Sequence, residues 1–240
     1  MSFTLELIAF NIQSCIDAQA AGAQRIELCD NPLEGGTTPS YGFIKAARDK
    51  VTIDLYPIIR PRGGDFLYTD DEFEIMKSEI KVCKVFGCNG IVIGMLKADG
   101  SIDKQRCKEL VNLAKPLGVT FHRAFDRSRD LLQALEDVIE IGCERILTSG
   151  GFPNAVDGSG MIAQLVTQAK GRIIIMPGSG VRSDNIKRLA EETGAVEFHS
   201  SARMNMPGKM NFISPQMAED QTQVSLDIKE AKALAMALNG

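Results

Sequence analysis

The chain has 240 residues, 44% hydrophobic and 24% charged, with a formal net charge of −4 and a pI near 5.4. This is an ordinary globular composition, and the acidic balance excludes the basic stripe that a nucleic-acid surface needs. No uncharged apolar run approaches the roughly 18 residues of a membrane helix, and no Lys or Arg precedes Arg25 to form the basic start of a signal peptide. The expectation is therefore a cytoplasmic protein with neither membrane nor nucleic acid as a partner.

The first strand-like run is Leu5–Phe10. After it the chain repeats one plan four times: Gly22-Ala-Gln-Arg-Ile-Glu-Leu, Gly87-Cys-Asn-Gly-Ile-Val-Ile-Gly, Gly142-Cys-Glu-Arg-Ile-Leu-Thr-Ser-Gly and Gly194-Ala-Val-Glu-Phe-His-Ser. In each, a glycine stops a helix and a short apolar strand follows. The starts lie 65, 55 and 52 residues apart, each the length of two strand–helix units. Asp54–Pro61, Val119–Arg123 and Ile173–Pro177 supply the strands between them. Asp70–Phe86, Asp103–Leu117 and Leu131–Ile141 carry helical periodicity. Eight alternating units in this length predict an α/β fold, a (β/α)8 TIM-like barrel forming one domain over residues 1–240. A doubly wound sheet fits less well, because the first strand lacks a G-x-G-x-x-G turn; no nucleotide or flavin motif is visible. The segment 203–223 reads as an irregular tail, and about 224–239 as a closing helix.

Barrel enzymes work at the C-terminal ends of their strands, so the polar residues there are the candidates. Strand 1 offers Glu6, and strand 2 offers Glu27 and Cys29, two apart and hence on one face, with Leu28 toward the helices. Strand 3 ends in Arg60 and Arg62, strand 5 in His122 and Arg123 with Asp126 beyond, and strand 8 in Glu197 and His199. His122 and His199 are the only histidines. Each could be a hydrogen-bonded core residue, and Glu6 and Glu27 could be buried in ion pairs with Arg60 or Arg62. Charges inside a barrel are nonetheless costly unless paired or used, which favours a site. Ser149-Gly150 after strand 6, Gly178 and Gly180 after strand 7, and Ser200-Ser201 after strand 8 suggest an anion held on backbone N–H groups.

The stretches RIELCDNPLEGGTTPSYG, IIRPRGGDFLYTDDEF, VTFHRAFD, RILTSGG and EFHSSA together resemble the CutC copper-homeostasis family, over about residues 4–202. The resemblance implies a TIM-like barrel, a cytoplasmic homodimer and a part in copper handling. It also implies Cu(I) on Cys29, which matches the family's motif cysteine, with His199 as a second ligand. Met204, Met206 and Met210 offer thioethers, although only Met210 corresponds to a family position. The residues read by themselves favour a different chemistry. Arg60 and Arg62 would clamp a small anionic or phosphorylated molecule. Glu27 or His122 would move a proton with His199 as counterpart, in a lyase, isomerase or hydrolase reaction. The six cysteines (Cys15, Cys29, Cys83, Cys88, Cys107, Cys143) include no C-x-x-C pair and read as reduced core thiols.

Overall fold

The computed structural model describes residues 3–239. Eight parallel strands alternate with helices: β1 (Thr4–Ala9), α1 (Ile12–Ala20), β2 (Arg25–Leu28), α2 (Tyr41–Lys50), β3 (Asp54–Pro57), α3 (Asp70–Val85), β4 (Gly90–Ile93) and α4 (Lys104–Ala114) make the first half. The second half comprises β5 (Gly118–Phe121), α5 (Leu131–Ile141), β6 (Arg145–Thr148), α6 (Ser159–Ala169), β7 (Ile174–Pro177), α7 (Ile186–Thr193) and β8 (Glu197–Ser200). An antiparallel pair, β9 (Arg203–Met206) and β10 (Gln223–Leu226), precedes the final helix α8 (Ile228–Asn239).

The strands pair in the order β3-β2-β1-β8 and β4-β5-β6-β7. A parallel bridge between Ile58 and Val92 joins the two sheets on one side, and β7 lies beside β8 on the other. The result is a closed single-domain barrel. Local caps fix where the helices begin and end. Thr69 and Glu72 make a reciprocal capping box at the start of α3, and Asp130 caps α5 through the N–H groups of Leu132 and Gln133. Gly142 ends α5 at φ +94, a left-handed conformation that a side chain would strain.

Alternation along the strands divides the core in two. Leu5, Leu7, Ile26, Leu28, Leu55, Ile91, Ile93, Val119, Phe121, Ile146 and Phe198 face outward into the layer between barrel and helices. Cys29, Tyr56, Ile58 and Val92 pack together inside, with Ile8 and Phe10 against them. Barrel interiors are usually filled by branched aliphatic side chains. This one instead buries Glu6, Arg25, Glu27, Thr120, His122, Arg145, Glu197 and His199.

The departures from the sequence reading that bear on the site and the tail are these. β3 stops at Pro57 instead of Pro61, because the Arg60 N–H donates to the Thr38 hydroxyl and leaves the ladder. β5 stops at Phe121 instead of Arg123, because the Ala124 N–H turns back onto Nδ1 of His122. The tail is not irregular throughout. Asn11 and Ser14 of α1 bind the backbone of Val224 and Leu226, which holds that segment extended as β10. The closing helix then starts at Ile228, with the Asp227 carboxylate accepting from the N–H groups of Lys229 and Glu230.

Candidate functional site at the barrel mouth

The lower interior is an ion network. The Arg25 guanidinium donates to both Glu6 and Glu197, and Arg145 donates to Glu197 at 3.1 Å. Two cations thus offset two carboxylates in a region closed to water. Glu6 was expected to pair, if at all, with Arg60 or Arg62. It pairs with Arg25 because that residue lies two before Glu27 on β2 and opposite Glu6 in the β1–β2 register. Burial alone would raise the Glu6 pKa, but Arg25 and His199 outweigh it and hold the carboxyl well below its usual range.

Above this network stand Glu27 and His199. Nδ1 of His199 lies 2.8 Å from Glu6, and its Nε2 lies 3.7 Å from Glu27. Burial, helped by the charge of Glu6, pushes the Glu27 carboxyl up to about 7, against the opposing pull of His199 and Arg25. Burial would lower His199, yet the two carboxylates raise it above the ordinary imidazole value. Both groups are thereby drawn toward protonation, which suits an acid–base pair.

Arg60 follows β3, the neighbour of β2, and His122 follows β5 in the other sheet. The Arg60 guanidinium is buried and donates to three backbone carbonyls, of Glu34, Gly36 and Gly64. Among the described residues it has no carboxylate partner within ion-pair distance, so its charge is unmatched. Burial and the charge of Arg60 bring His122 down to about 3, so the ring is neutral. Since the Ala124 N–H donates to Nδ1, the ring proton belongs on Nε2. Among the described residues, Nε2 of His122, Nε of Arg60 and the Tyr68 hydroxyl are buried and have no hydrogen-bond partner. A buried polar group left unsatisfied costs about 1–3 kcal/mol, so such groups mark where a ligand atom belongs.

Both histidines are seated against glycines. A Cβ on Gly94 would come within 2.4 Å of the His122 ring, and one on Gly178 would meet Leu147 at 2.4 Å and His199 at 3.3 Å. Glu27, Arg60, Phe66, His122, Arg123 and His199 are among the residues that line one cavity of about 110 Å³. Larger hollows lie beside Phe3 and Leu238 (about 380 Å³) and between Phe10 and Val224 (about 640 Å³). Their charged lining residues, Lys187, Glu191, Glu34 and Asp220, are exposed, so neither collects buried chemistry.

Other predicted site residues lie elsewhere. Arg62 was expected beside Arg60. Beyond the end of β3 strand alternation no longer applies, and its guanidinium pairs with Glu72 at 2.6 Å and Asp65 at 3.0 Å. It stitches the loop to the start of α3. The loop after β6 does form a nest of donors, but its occupant is the protein's own Asp126. That carboxylate accepts from the N–H groups of Ser149 and Gly151, the Thr148 hydroxyl and Arg123. The Gly150 N–H donates to the Thr148 hydroxyl. The Gly178 N–H donates to the Thr148 carbonyl, and the Gly180 carbonyl accepts from Asn185. The Ser200 hydroxyl donates to Val181 and accepts from the Ala202 N–H; Ser201 beside it is half-buried. Met204, Met206 and Met210 are exposed, the first two on β9 outside the barrel.

Arg25 and Arg145 were missed as candidates, although both open their strands at positions that share a face with interior residues. Parity along the strand was the available signal.

Cu(I) prefers two or three soft donors close together. Cys29 is fully buried among Tyr56, Ile58 and Val92, and burial with the nearby Glu27 charge pushes its thiol far above its ordinary pKa. The other five cysteines are also buried and unpaired. Cys83 and Cys88 lie against each other at the end of α3, outside the mouth; among the described residues the donors that converge at the mouth are Glu6, Glu27 and His199, all within 4.8 Å. Both Glu6 oxygens are already engaged, by Arg25 and His199. This set of oxygens and one imidazole does not fit Cu(I).

The CutC family model matches residues 3–204. A protein of Chromobacterium violaceum named as family protein CutC is 51% identical over 88% of this chain and 86% of its own. The mouse copper homeostasis protein cutC homolog is 48% identical, covering 90% of this chain and 79% of its own. A solved CutC protein from Streptococcus agalactiae superposes with a TM-score of 0.79 at 34% identity, over 83% of this chain and 98% of that one. The chain belongs to the CutC family.

Proposed function

We propose that the protein serves copper homeostasis, the role for which the mouse relative is named, and that it works at the barrel mouth on a small anionic ligand. The observation that carries the molecular half is Arg60, a buried guanidinium with carbonyl partners only, beside a neutral His122 with an unpartnered Nε2. An anion between them would neutralise the one and satisfy the other. Glu27 and His199, lining the same cavity, would exchange a proton with that ligand, which makes lyase or isomerase chemistry the natural class. The test is thermal: oxalate, phosphate and acetate are titrated against the wild type and against Arg60→Lys and His122→Gln. A rise in Tm that either variant abolishes supports the site; equal responses in all three reject it.

Direct Cu(I) binding is the second reading, favoured by the relatives' name alone. Cys29 and His199 would be its ligands, and Cys29 would first have to give up a proton that its surroundings hold tightly. Competition with a Cu(I) chelator decides between the two, since only the second expects retention that Cys29→Ser removes. A strain lacking the chain should also lose copper tolerance; unchanged tolerance would remove the cellular half of the proposal.

Cytoplasmic placement and a homodimer belong to the same reading. No helix among the described residues is long and apolar enough to cross a membrane. Phe212, Ile213 and Met217 are exposed in the arm between β9 and β10, an apolar surface suited to a second copy. Sedimentation equilibrium should give twice the chain mass, and Phe212→Ser with Ile213→Ser should lower it.

A further inference from the structure

We propose that the mouth cavity is an enolisation site for small 2-oxo acids: Arg60 and His122 hold the oxygen that becomes negative, and Glu27 takes the proton from the neighbouring carbon. This rests on the reading that the cavity holds a small anion and goes further by naming the substrate class and the step.

The geometry supplies each part. Stabilising an enolate requires donors fixed in advance where negative charge develops, in a site shielded from water. Arg60 is fixed by three carbonyls, of Glu34, Gly36 and Gly64, at 2.6–2.9 Å, so its guanidinium has no freedom to reorganise. His122 is fixed by the Ala124 N–H on Nδ1 at 3.1 Å and by the Phe66 ring, 4.9 Å away centre to centre. Its Nε2 proton is thereby left as a donor with no acceptor among the described residues. A neutral imidazole suits this task, because it polarises a carbonyl without giving its proton away.

Glu27 lines the same cavity, with His199 behind it and Glu6 orienting that ring through Nδ1. The carboxylate reaches the ligand from β2, next to Arg60 beyond β3 and three strands round the barrel from His122 beyond β5. About 110 Å³ is room for roughly four waters at about 30 Å³ each, and hence for a molecule of about four to six non-hydrogen atoms. Pyruvate is of that size. Its carboxylate and ketone oxygen, on adjacent carbons, would both answer the unmatched charge of Arg60, and the ketone oxygen would also accept the His122 Nε2–H.

The step balances without a cofactor. The C–H bond beside the ketone breaks and its proton passes to the Glu27 carboxylate. The C–H electron pair becomes the C=C bond, and the carbonyl π pair moves onto the oxygen held by His122 and Arg60. Reversal returns a proton to carbon, and in D2O it returns a deuteron.

The experiment follows the methyl protons of pyruvate and the methylene protons of 2-oxobutyrate by proton NMR in D2O, with the full-length protein. Oxalate, a planar mimic of the pyruvate enolate, is titrated by thermal shift alongside. The wild type should exchange at least one of the two substrates well above buffer, and Glu27→Gln should lose about 100-fold or more while still binding oxalate. Glu27→Asp, which keeps the carboxylate, should retain part of the exchange. If oxalate binds but neither substrate exchanges, the enolisation proposal is wrong and the anion site stands. If oxalate does not bind and nothing exchanges, both fall. If exchange survives in Glu27→Gln, Glu27 is not the base and the proposal is overturned.

Discussion

Nε2 of His199 lies 3.7 Å from a Glu27 oxygen, while Nδ1 of the same ring lies 2.8 Å from Glu6. The ring therefore sits between one carboxylate whose charge is fixed by Arg25 and another that burial keeps close to neutral. Glu6 orients; Glu27 and His199 are the pair drawn toward protonation.

That division gives a pH dependence. Glu27 has a raised folded-state pKa, about 7 against 4.5 when unfolded, and His199 is shifted the same way. A raised pKa contributes stability that is fully present below the unfolded value and is lost as pH rises through the folded one. Glu27→Gln, a neutral isostere, should match the wild type near pH 4, below the unfolded value. By pH 8 it should be the more stable of the two by on the order of 2 kcal/mol. Urea unfolding at both pH values checks this; a gap that is the same at both would show that Glu27 titrates normally.

His122 shifts in the opposite sense, to about 3 from 6.5. Between those values the unfolded chain binds a proton that the folded chain refuses, so stability falls as pH drops from 6.5 toward 3. His122→Gln should weaken that acid-side loss. Denaturation curves of the variant between pH 3.5 and 6.5 should be flatter than those of the wild type.

The two kinds of arginine should separate by stability. Arg25→Met leaves Glu6 with no guanidinium partner and Glu197 with Arg145 alone, and should cost about 3–5 kcal/mol. Arg62→Ala removes a pair whose arginine side chain is 40% exposed, and should change stability by about 1 kcal/mol or less. Arg60 belongs to neither group. Its truncation would bare three carbonyls, so Arg60→Lys is the cleaner probe of its ligand role.

How much of this was legible in the sequence follows from parity and distance. Period-2 alternation on β2 put Glu27 and Cys29 inside and Leu28 outside, and the structure has them so. The same alternation failed at Arg62, five residues past Pro57 at the end of β3, where loop geometry sets direction. The glycine-rich loop after β6 was readable as a set of N–H donors. That Asp126 would occupy it was not, because the pairing of Asp126 with Ser149 spans 23 residues and depends on β5 lying beside β6. The β9–β10 pair escaped for a similar reason: its register spans a long, exposed connection, and its anchor is on α1.

The Asp126 nest yields its own test. Asp126→Ala removes the acceptor from Ser149, Gly151, Thr148 and Arg123 together, and should cost about 2–4 kcal/mol. Formate at tens of millimolar should restore part of the loss in the variant and do little to the wild type. No rescue would mean that the loop collapses once the carboxylate is gone.

The central claim is that Arg60 and His122 hold an anion at the mouth, and nitrogen-15 NMR of the two histidines tests it most directly. With only His122 and His199 in the chain, each ring is assignable by a single substitution. Without ligand, His122 should show the neutral Nε2–H form throughout the range from pH 5 to 8. Adding oxalate should shift the His122 Nε2 resonance and perturb His199, and Arg60→Lys should weaken both responses. The contrary result is a His122 ring that ignores oxalate while Cu(I) shifts His199 in a manner that Cys29→Ser abolishes.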